Sequence, residues 1–398
     1  MKWRNGELIN PFSGKLLERD GSHSLSSGGV TRFPIIEEIP FLRLGREKLA
    51  AEVLRALDLA DKRAALMLLF QDQDEWAITA PPSENDLEPL LNDQQITLRE
   101  AMGILNYGAV SDYFAYRWSD PTFLSGLALL ENHLPPQTDN VLELCCGIGH
   151  YLREFILRGI SVVGADVVFS KLWLARKFVA PTAKLVCADA NFALPFAGQT
   201  FDAAFCHDAF YFLPKKKHVA GELKRVAAKT VLIGHAHNSA AENFSSGAAV
   251  SVDEYQLLFD EPVLYDDCEL SRSLIENRRP QTSSAEKLIK SPAIALVQEH
   301  LDCPNIGDYA SFELPLANRR LQLNPLLKDA DGQILSAPNF PSERYENEYA
   351  ELSNYLYLTA EEISLVKEMK GGCSNWVADE TLENLVRRRI FLNLPEGW

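Results

Sequence analysis

Between Asn140 and Gly234 the sequence alternates short apolar runs with stretches of helical periodicity, and this alternation restricts the fold more than any other feature. Val141 to Cys145, Ser161 to Ala165, Lys184 to Ala188, Phe201 to Cys206 and Lys229 to Gly234 read as strands. Tyr151 to Arg158, Phe169 to Val179 and Lys217 to Ala227 read as helices among them. Apolar strands joined by helices require a parallel sheet, because right-handed crossovers lay the helices over both faces. The expected fold class is therefore α/β, a Rossmann-like, doubly wound, mainly parallel sheet.

At 398 residues the chain is too long for that sheet alone, and its composition divides it into four stretches. Residues 1–42, rich in Gly and Ser around short alternating pieces, read as a small β module. Residues 43–135 are a helical cap. In it Thr97 and Glu100 fit a capping box, an aromatic segment from Tyr113 to Trp118 reads as either a lid or core packing, and Pro121 to His133 forms a helix. Residues 136–330 hold the α/β domain with an insertion after its fifth strand. There, helices are expected at Asp253 to Phe259 and Ser284 to His300, and a strand at Arg320 to Leu323. Residues 331–398 read as a helical extension, with helices at Ala360 to Met369 and Asp379 to Ile390.

Asp and Glu total 55 against 39 Lys and Arg, a formal charge of −16. Such a surface repels phosphate backbones, so nucleic acid is not an expected partner. The longest purely apolar stretch, Ala64 to Phe70, is far shorter than a bilayer requires; a cytoplasmic protein with no membrane association is expected. Seven cysteines without a Cys-x-x-Cys pair point to buried reduced thiols rather than disulfides or a zinc cluster.

The chemistry concentrates where the first strand turns into a helix through Cys145-Cys146-Gly147-Ile148-Gly149-His150. Two glycines there let a ligand approach the backbone. Asp166 ends the second strand, placed to bond both hydroxyls of a ribose, and Asp189 follows the third, placed to meet a base. The dinucleotide fingerprint fails, because aligning Gly147 and Gly149 to it leaves Cys145 or Leu152 in a glycine position. Glu143, on the approach strand, would repel a pyrophosphate and suit a cationic amino group. A nucleoside bearing an amino acid tail is the ligand these residues favour.

As a set, residues 136 to 235 resemble the class I S-adenosylmethionine-dependent methyltransferases. Glu143-Leu144-Cys145-Cys146-Gly147-Ile148-Gly149 looks like their first motif, Asp166 like their ribose-binding acid, and Asp189-Ala190 like their adenine-contacting pair. Leu194-Pro195-Phe196 and Thr200 to Phe205 resemble the family's approach to its fourth strand, while Cys145 stands where a third glycine is more common. The resemblance implies the class I methyltransferase fold and S-adenosyl-L-methionine as cofactor. It implies a cofactor site built from Glu143, Cys145, Gly147, Gly149, Asp166, Asp189, Ala190 and His207. Residues 8–42 resemble, more loosely, the zinc-ribbon-like module of methyltransferase activators, with Arg32 to Leu42 carrying the match. No cysteine precedes Cys145, so that module is expected to be a metal-free shell for packing, for a protein partner or for a homodimer contact.

On the acceptor side, His207, His235 and His237 fall at neighbouring strand tips and are the candidate catalytic bases, the plainer alternative being backbone hydrogen bonding. His235 and His237 share a strand side and could hold a metal with Asp208 or His207; the expectation is that no metal is bound. Phe210 to Phe212 wall a pocket or pack the core, and Lys215 to Lys217 read as a solvated helix start. The expected activity is methyl transfer to an oxygen or nitrogen of a small-molecule acceptor, such as a specialised metabolite. The alternatives are a non-catalytic cofactor-binding scaffold and a peptide or protein methyltransferase.

Overall fold

The alternating N-terminal segment folds into four short antiparallel strands, β1 (Glu18–Arg19), β2 (Ser24–Ser26), β3 (Arg32–Ile36) and β4 (Ile39–Pro40), in sequential order. The structure, a computed structural model, describes residues 2–93, 95–135, 137–245, 247–299, 321–369, 372–373 and 380–398. The five apolar runs become β5 (Asn140–Leu144), β6 (Ser161–Asp166), β7 (Lys184–Cys187), β8 (Phe201–His207) and β9 (Ala227–His237), all mutually parallel. Two more strands, β10 (Val263–Asp266) and β11 (Ala293–Glu299), complete a sheet of order β10-β11-β9-β8-β5-β6-β7, with β11 running against β9. Apolar residues cover both faces. Leu142 and Leu144 pack with Phe196, Phe210, Val219 and Leu223 on one face, and Val141 joins Phe123, Phe155 and Leu172 on the other.

From β5 the chain steps one way to β6 and β7, then returns to place β8 and β9 on the other side. Such a reversal opens a crevice beyond the carboxyl ends of the strands, and open α/β sheets bind ligands there. Asp166 and the segments after β5, β7 and β8 therefore face one opening.

The segment Ser284 to His300 is not the single helix expected. It gives a short helix, Ala285–Leu288, and then β11, which is buried almost throughout between β9 and β10. Pro292, lacking an N–H, separates the two; His300 lies outside the described residues. The helix expected at Asp253 to Phe259 shrinks to Val252–Gln256. The strand expected at Arg320 to Leu323 is β12 (Leu321–Leu323), Arg320 lying outside the described residues. It pairs with β13 (Gly372–Cys373) and β14 (Phe391–Leu392), so one small sheet joins residues on both sides of position 330. The C-terminal helices run Ala360–Glu368 and Glu380–Arg387, with Asp379 outside the described residues.

The N-terminal module sits on the edge strand β7. Phe41 bridges Cys187 in parallel, the Leu42 N–H donates to the Cys187 carbonyl at 2.8 Å, and the Trp3 indole donates to the Leu185 carbonyl at 3.0 Å. An uncovered edge leaves a row of unpaired backbone groups, and this module removes part of that liability. In the helical region the capping box forms as expected: Thr97 Oγ1 accepts from the Glu100 N–H at 3.3 Å, and Glu100 accepts from the Thr97 N–H at 2.8 Å. Among the described residues no helix is long and apolar enough to cross a membrane.

Candidate active site

The turn after β5 uses left-handed backbone at Cys145 (φ 58°), Gly147 (φ 53°) and Gly149 (φ 89°). Gly149 opens the helix His150–Leu157 and has no side chain with which to cap it; a Cβ there would lie 3.1 Å from Leu152. The Glu143 carboxyl lies near the Leu152 N–H of the first helical turn, which offsets part of the effect of its burial. The carboxyl is buried, one oxygen has no partner, and burial pushes its pKa well up. Glu143 shares the face of β5 that carries Val141. Cys145 occupies a conformation that costs a non-glycine residue about 1–2 kcal/mol. The neighbouring Cys206 thiol and burial together push its pKa up.

Asp166 at the tip of β6 uses both carboxylate oxygens. One accepts the Gly147 N–H at 2.9 Å and the other the Val168 N–H at 2.9 Å, tying the turn after β5 to the tip of β6. Asp189 accepts the Asn191 N–H at 2.8 Å and stands beside buried Ala190.

Across the crevice, Asp208 (φ 51°) follows β8. Its Oδ2 accepts from Arg117 at 2.6 Å and its Oδ1 from the Tyr211 hydroxyl at 3.1 Å. Arg117 also lies 3.3 Å from Asp120, whose burial pushes its pKa up to about 7. His235 Nδ1 is 2.7 Å from Asp267; despite burial, the Asp267 carboxylate raises the imidazole to about 9. Its Nε2–H points to His237 Nε2 at 3.3 Å, and His237 in turn donates through Nδ1 to the Ser245 carbonyl at 3.2 Å. Burial and the neighbouring imidazolium hold His237 down, to about 4. The His237 ring stacks on Tyr211 with centroids 3.8 Å apart. His207 donates through Nε2 to the Thr122 carbonyl at 2.8 Å, and burial holds it down to about 4.

One cavity of about 930 Å3 joins the two ends. It is bordered by Cys145, Gly147, Asp166, Asp189 and Ala190 on one side and by Asp208, Tyr211 and His237 on the other. Glu143, Gly149, His207 and His235 stand behind that wall. The residues on the first side suit an adenosine with a methionine tail: two carboxylates sit at successive strand tips, and a glycine without side chain lies where Phe114 already approaches to 3.6 Å of a notional Cβ.

The family model described as a methyltransferase domain matches residues 141–230, from β5 into β9. That segment is matched as a methyltransferase domain. Three solved structures illustrate the likeness. A Bacillus halodurans chain described as a methyltransferase is 16% identical with TM-score 0.32, over 44% of this chain and 98% of that one. A chain from the Haloferax volcanii complex of a methyltransferase activator with a methyltransferase is 18% identical with TM-score 0.34, over 44% and 88%. Haemonchus contortus phosphoethanolamine N-methyltransferase 2 with bound S-adenosylmethionine is 17% identical with TM-score 0.35, over 51% and 59%. No curated protein matches the chain. These figures say nothing of an acceptor for this chain.

Much of the cavity wall comes from outside the matched segment. Trp76, Tyr107, Phe114 and Arg117 from the helical region border it, as do Arg344, Glu348 and Tyr349 from the C-terminal part. In the aromatic segment Tyr113, Phe114 and Arg117 border the cavity while Ala115 and Trp118 lie in the core. Neither Arg117 nor Tyr349 is singled out by sequence as a site residue; the signals are the aromatic segment that contains Arg117 and the recurrence of Tyr345, Tyr349 and Tyr355. Lys216, expected on a solvated face, is buried instead. Its ammonium donates to the Leu213 carbonyl at 2.9 Å, the Tyr211 carbonyl at 3.1 Å and the Ala248 carbonyl, fixing the segment that holds Tyr211.

The helical cover is locked to the glycine turn by His150, whose Nε2 donates to the Phe114 carbonyl at 2.8 Å while its ring packs 4.4 Å from Trp118. Burial lowers its pKa from 6.5 to about 3. The unfolded chain therefore takes up a proton that the folded one refuses. The neutral imidazole stabilises above pH 6.5, and that contribution is lost as pH falls from 6.5 toward 3. In denaturant titrations, His150→Gln is expected to lose about 2 kcal/mol less than the unaltered protein between pH 7 and pH 5. Equal losses in the two would contradict this assignment.

Proposed function

We propose that this chain methylates an oxygen or nitrogen atom of a small-molecule acceptor enclosed beside S-adenosylmethionine. The single supporting observation is the continuous cavity, which carries the nucleoside-type carboxylates Asp166 and Asp189 at one end and a separate polar cluster around Asp208 at the other. At about 930 Å3 it lies near the top of the roughly 300–1,000 Å3 span of small-molecule sites, so a cofactor and a compact acceptor fit together. In this reading Asp166 holds the ribose, Asp189 and Ala190 meet the adenine, and Cys145 and Gly147 line the approach of the amino acid tail. S-adenosylmethionine supplies a methyl group already activated on a sulfonium.

What remains for the chain's own residues is alignment and exclusion of water, and orientation alone is worth about 7–11 kcal/mol in favourable cases. Trp76, Tyr107, Phe114 and Tyr349 roof the cavity and shed water from it. Arg117, Asp208 and Tyr211 form a hydrogen-bonded set that orients a polar acceptor. Of the three histidines only His237 borders the cavity, and its Nε2 lone pair already receives the His235 N–H, so the reading rests on positioning rather than on a base. The free thiols Cys145, Cys146, Cys187, Cys206 and Cys268 fit a reducing compartment, and we place the protein in the cytoplasm.

The test is incubation with S-adenosylmethionine labelled in its methyl group, together with a deproteinised metabolite extract or a peptide digest. Label is expected in the low-mass extract; label confined to peptides, or none despite measured cofactor binding, would overturn the reading.

A further inference from the structure

The end of β9 breaks the ladder. Ala236 pairs with Ile294 and Ile233 with Leu296, so Gly234 and His235 together face the single residue Ala295, a β-bulge. His235 takes φ 48° in that bulge, and Asp208 on the adjoining strand end takes φ 51°. Left-handed backbone at two non-glycine residues costs about 1–3 kcal/mol each and persists where surrounding structure enforces it, typically at ligand clamps.

The bulge brings His235 Nε2 to 3.3 Å from His237 Nε2 and to 3.9 Å from Asp208 Oδ1. All three ligand atoms lie within 4.8 Å of one another. Two imidazole nitrogens bound to one zinc-sized ion at about 2.0–2.1 Å and a tetrahedral angle stand about 3.3–3.4 Å apart. The outer atoms of the same residues are also occupied as metal ligands require. His235 Nδ1 is held by Asp267, His237 Nδ1 by the Ser245 carbonyl, and Asp208 Oδ2 by Arg117. Such partners fix ring orientation, and when the ion displaces the His235 Nε2 proton to solvent they aim the freed lone pair at it.

We propose that Asp208, His235 and His237 bind one divalent first-row transition ion on the wall of the cavity. Two imidazoles and one carboxylate favour Zn2+, Fe2+ or Co2+ over Ca2+ and Mg2+. Three protein ligands leave coordination positions open, and Asp208 and His237 border the cavity, so an acceptor oxygen completes the shell. That acceptor role rests on the function proposed above; the metal site itself does not. On such an ion an acceptor hydroxyl gives its proton to solvent, and its electron pair forms the C–O bond. The C–S bond breaks with its pair left on sulfur, giving S-adenosylhomocysteine.

The experiment titrates chelator-stripped full-length protein with Zn2+ alone by calorimetry and with Co2+ alone by visible absorption, with no cofactor present. One equivalent of each is expected, with cobalt bands of a low-symmetry, nitrogen-ligated site. His235→Gln and His237→Gln should each weaken Zn2+ binding at least about 100-fold, and Asp267→Asn about 10- to 100-fold, with circular dichroism unchanged. Should a variant fail to fold, the cobalt spectrum of the unaltered protein decides. No stoichiometric uptake, or variants that bind zinc as tightly as the unaltered chain, overturns the proposal. Zinc uptake by a protein that gives no heat with S-adenosylmethionine would sink the methyltransfer reading and leave the metal site standing.

Discussion

Asp166→Ala is expected to weaken S-adenosylmethionine binding by about 100-fold or more, measured by calorimetry on protein whose melting temperature is checked in parallel. Hydrogen bonds to a charged group contribute about 1.5–3 kcal/mol each, and a strand-tip carboxylate that meets two ribose hydroxyls makes two of them. A second effect acts in the same direction. The Asp166 oxygens hold the Gly147 and Val168 amides at 2.9 Å, so removing them also loosens the turn on which the amino acid tail rests. Asp189→Ala, which withdraws one contact to the base and leaves that turn intact, should cost only about 10-fold. If Asp166→Ala binds within a few-fold of the unaltered chain, the nucleoside does not lie at the tip of β6.

The sheet was legible where its strands are apolar runs with turn residues at their ends, and β5 to β9 read correctly for that reason. The strand β11 did not. Ala293 to Val297 is as apolar as a buried helix, and periodicity cannot separate the two in so short a run, least of all after the helix-like Ser284 to Leu288. The positions of Asp166 and Asp189 followed from strand ends alone. The acceptor end was least legible. Arg117 meets Asp208 from 91 residues away and Tyr349 from 232, and no pattern along the chain pairs them. Lys216 misled for a related reason: in a run of three lysines, the buried one is chosen by carbonyls at 211, 213 and 248 that only the folded chain assembles.

Close packing at the end of β9 predicts a large loss of stability. A Cβ added at Gly234 would stand 2.1 Å from His207 Nδ1, 2.9 Å from Cε1 and 3.3 Å from Cγ, which puts the whole ring in its path. The ring cannot swing aside. Its Nε2–H is committed to the Thr122 carbonyl, Tyr151 packs edge-on at 5.0 Å, and a Cβ at Gly126 would lie 2.9 Å from its other flank. Gly234→Ala is therefore expected to cost about 3 kcal/mol in thermal or denaturant unfolding. The damage should reach the cavity as well, because the Gly234 carbonyl accepts the Asp208 N–H at 3.0 Å and His235 is the next residue. Adding His207→Ala removes the obstructing ring, so the double variant should be more stable than the sum of the single losses by about 1–3 kcal/mol. Strict additivity would show that the imidazole does not cover Gly234, and would leave the glycine beside the bulge without a steric cause.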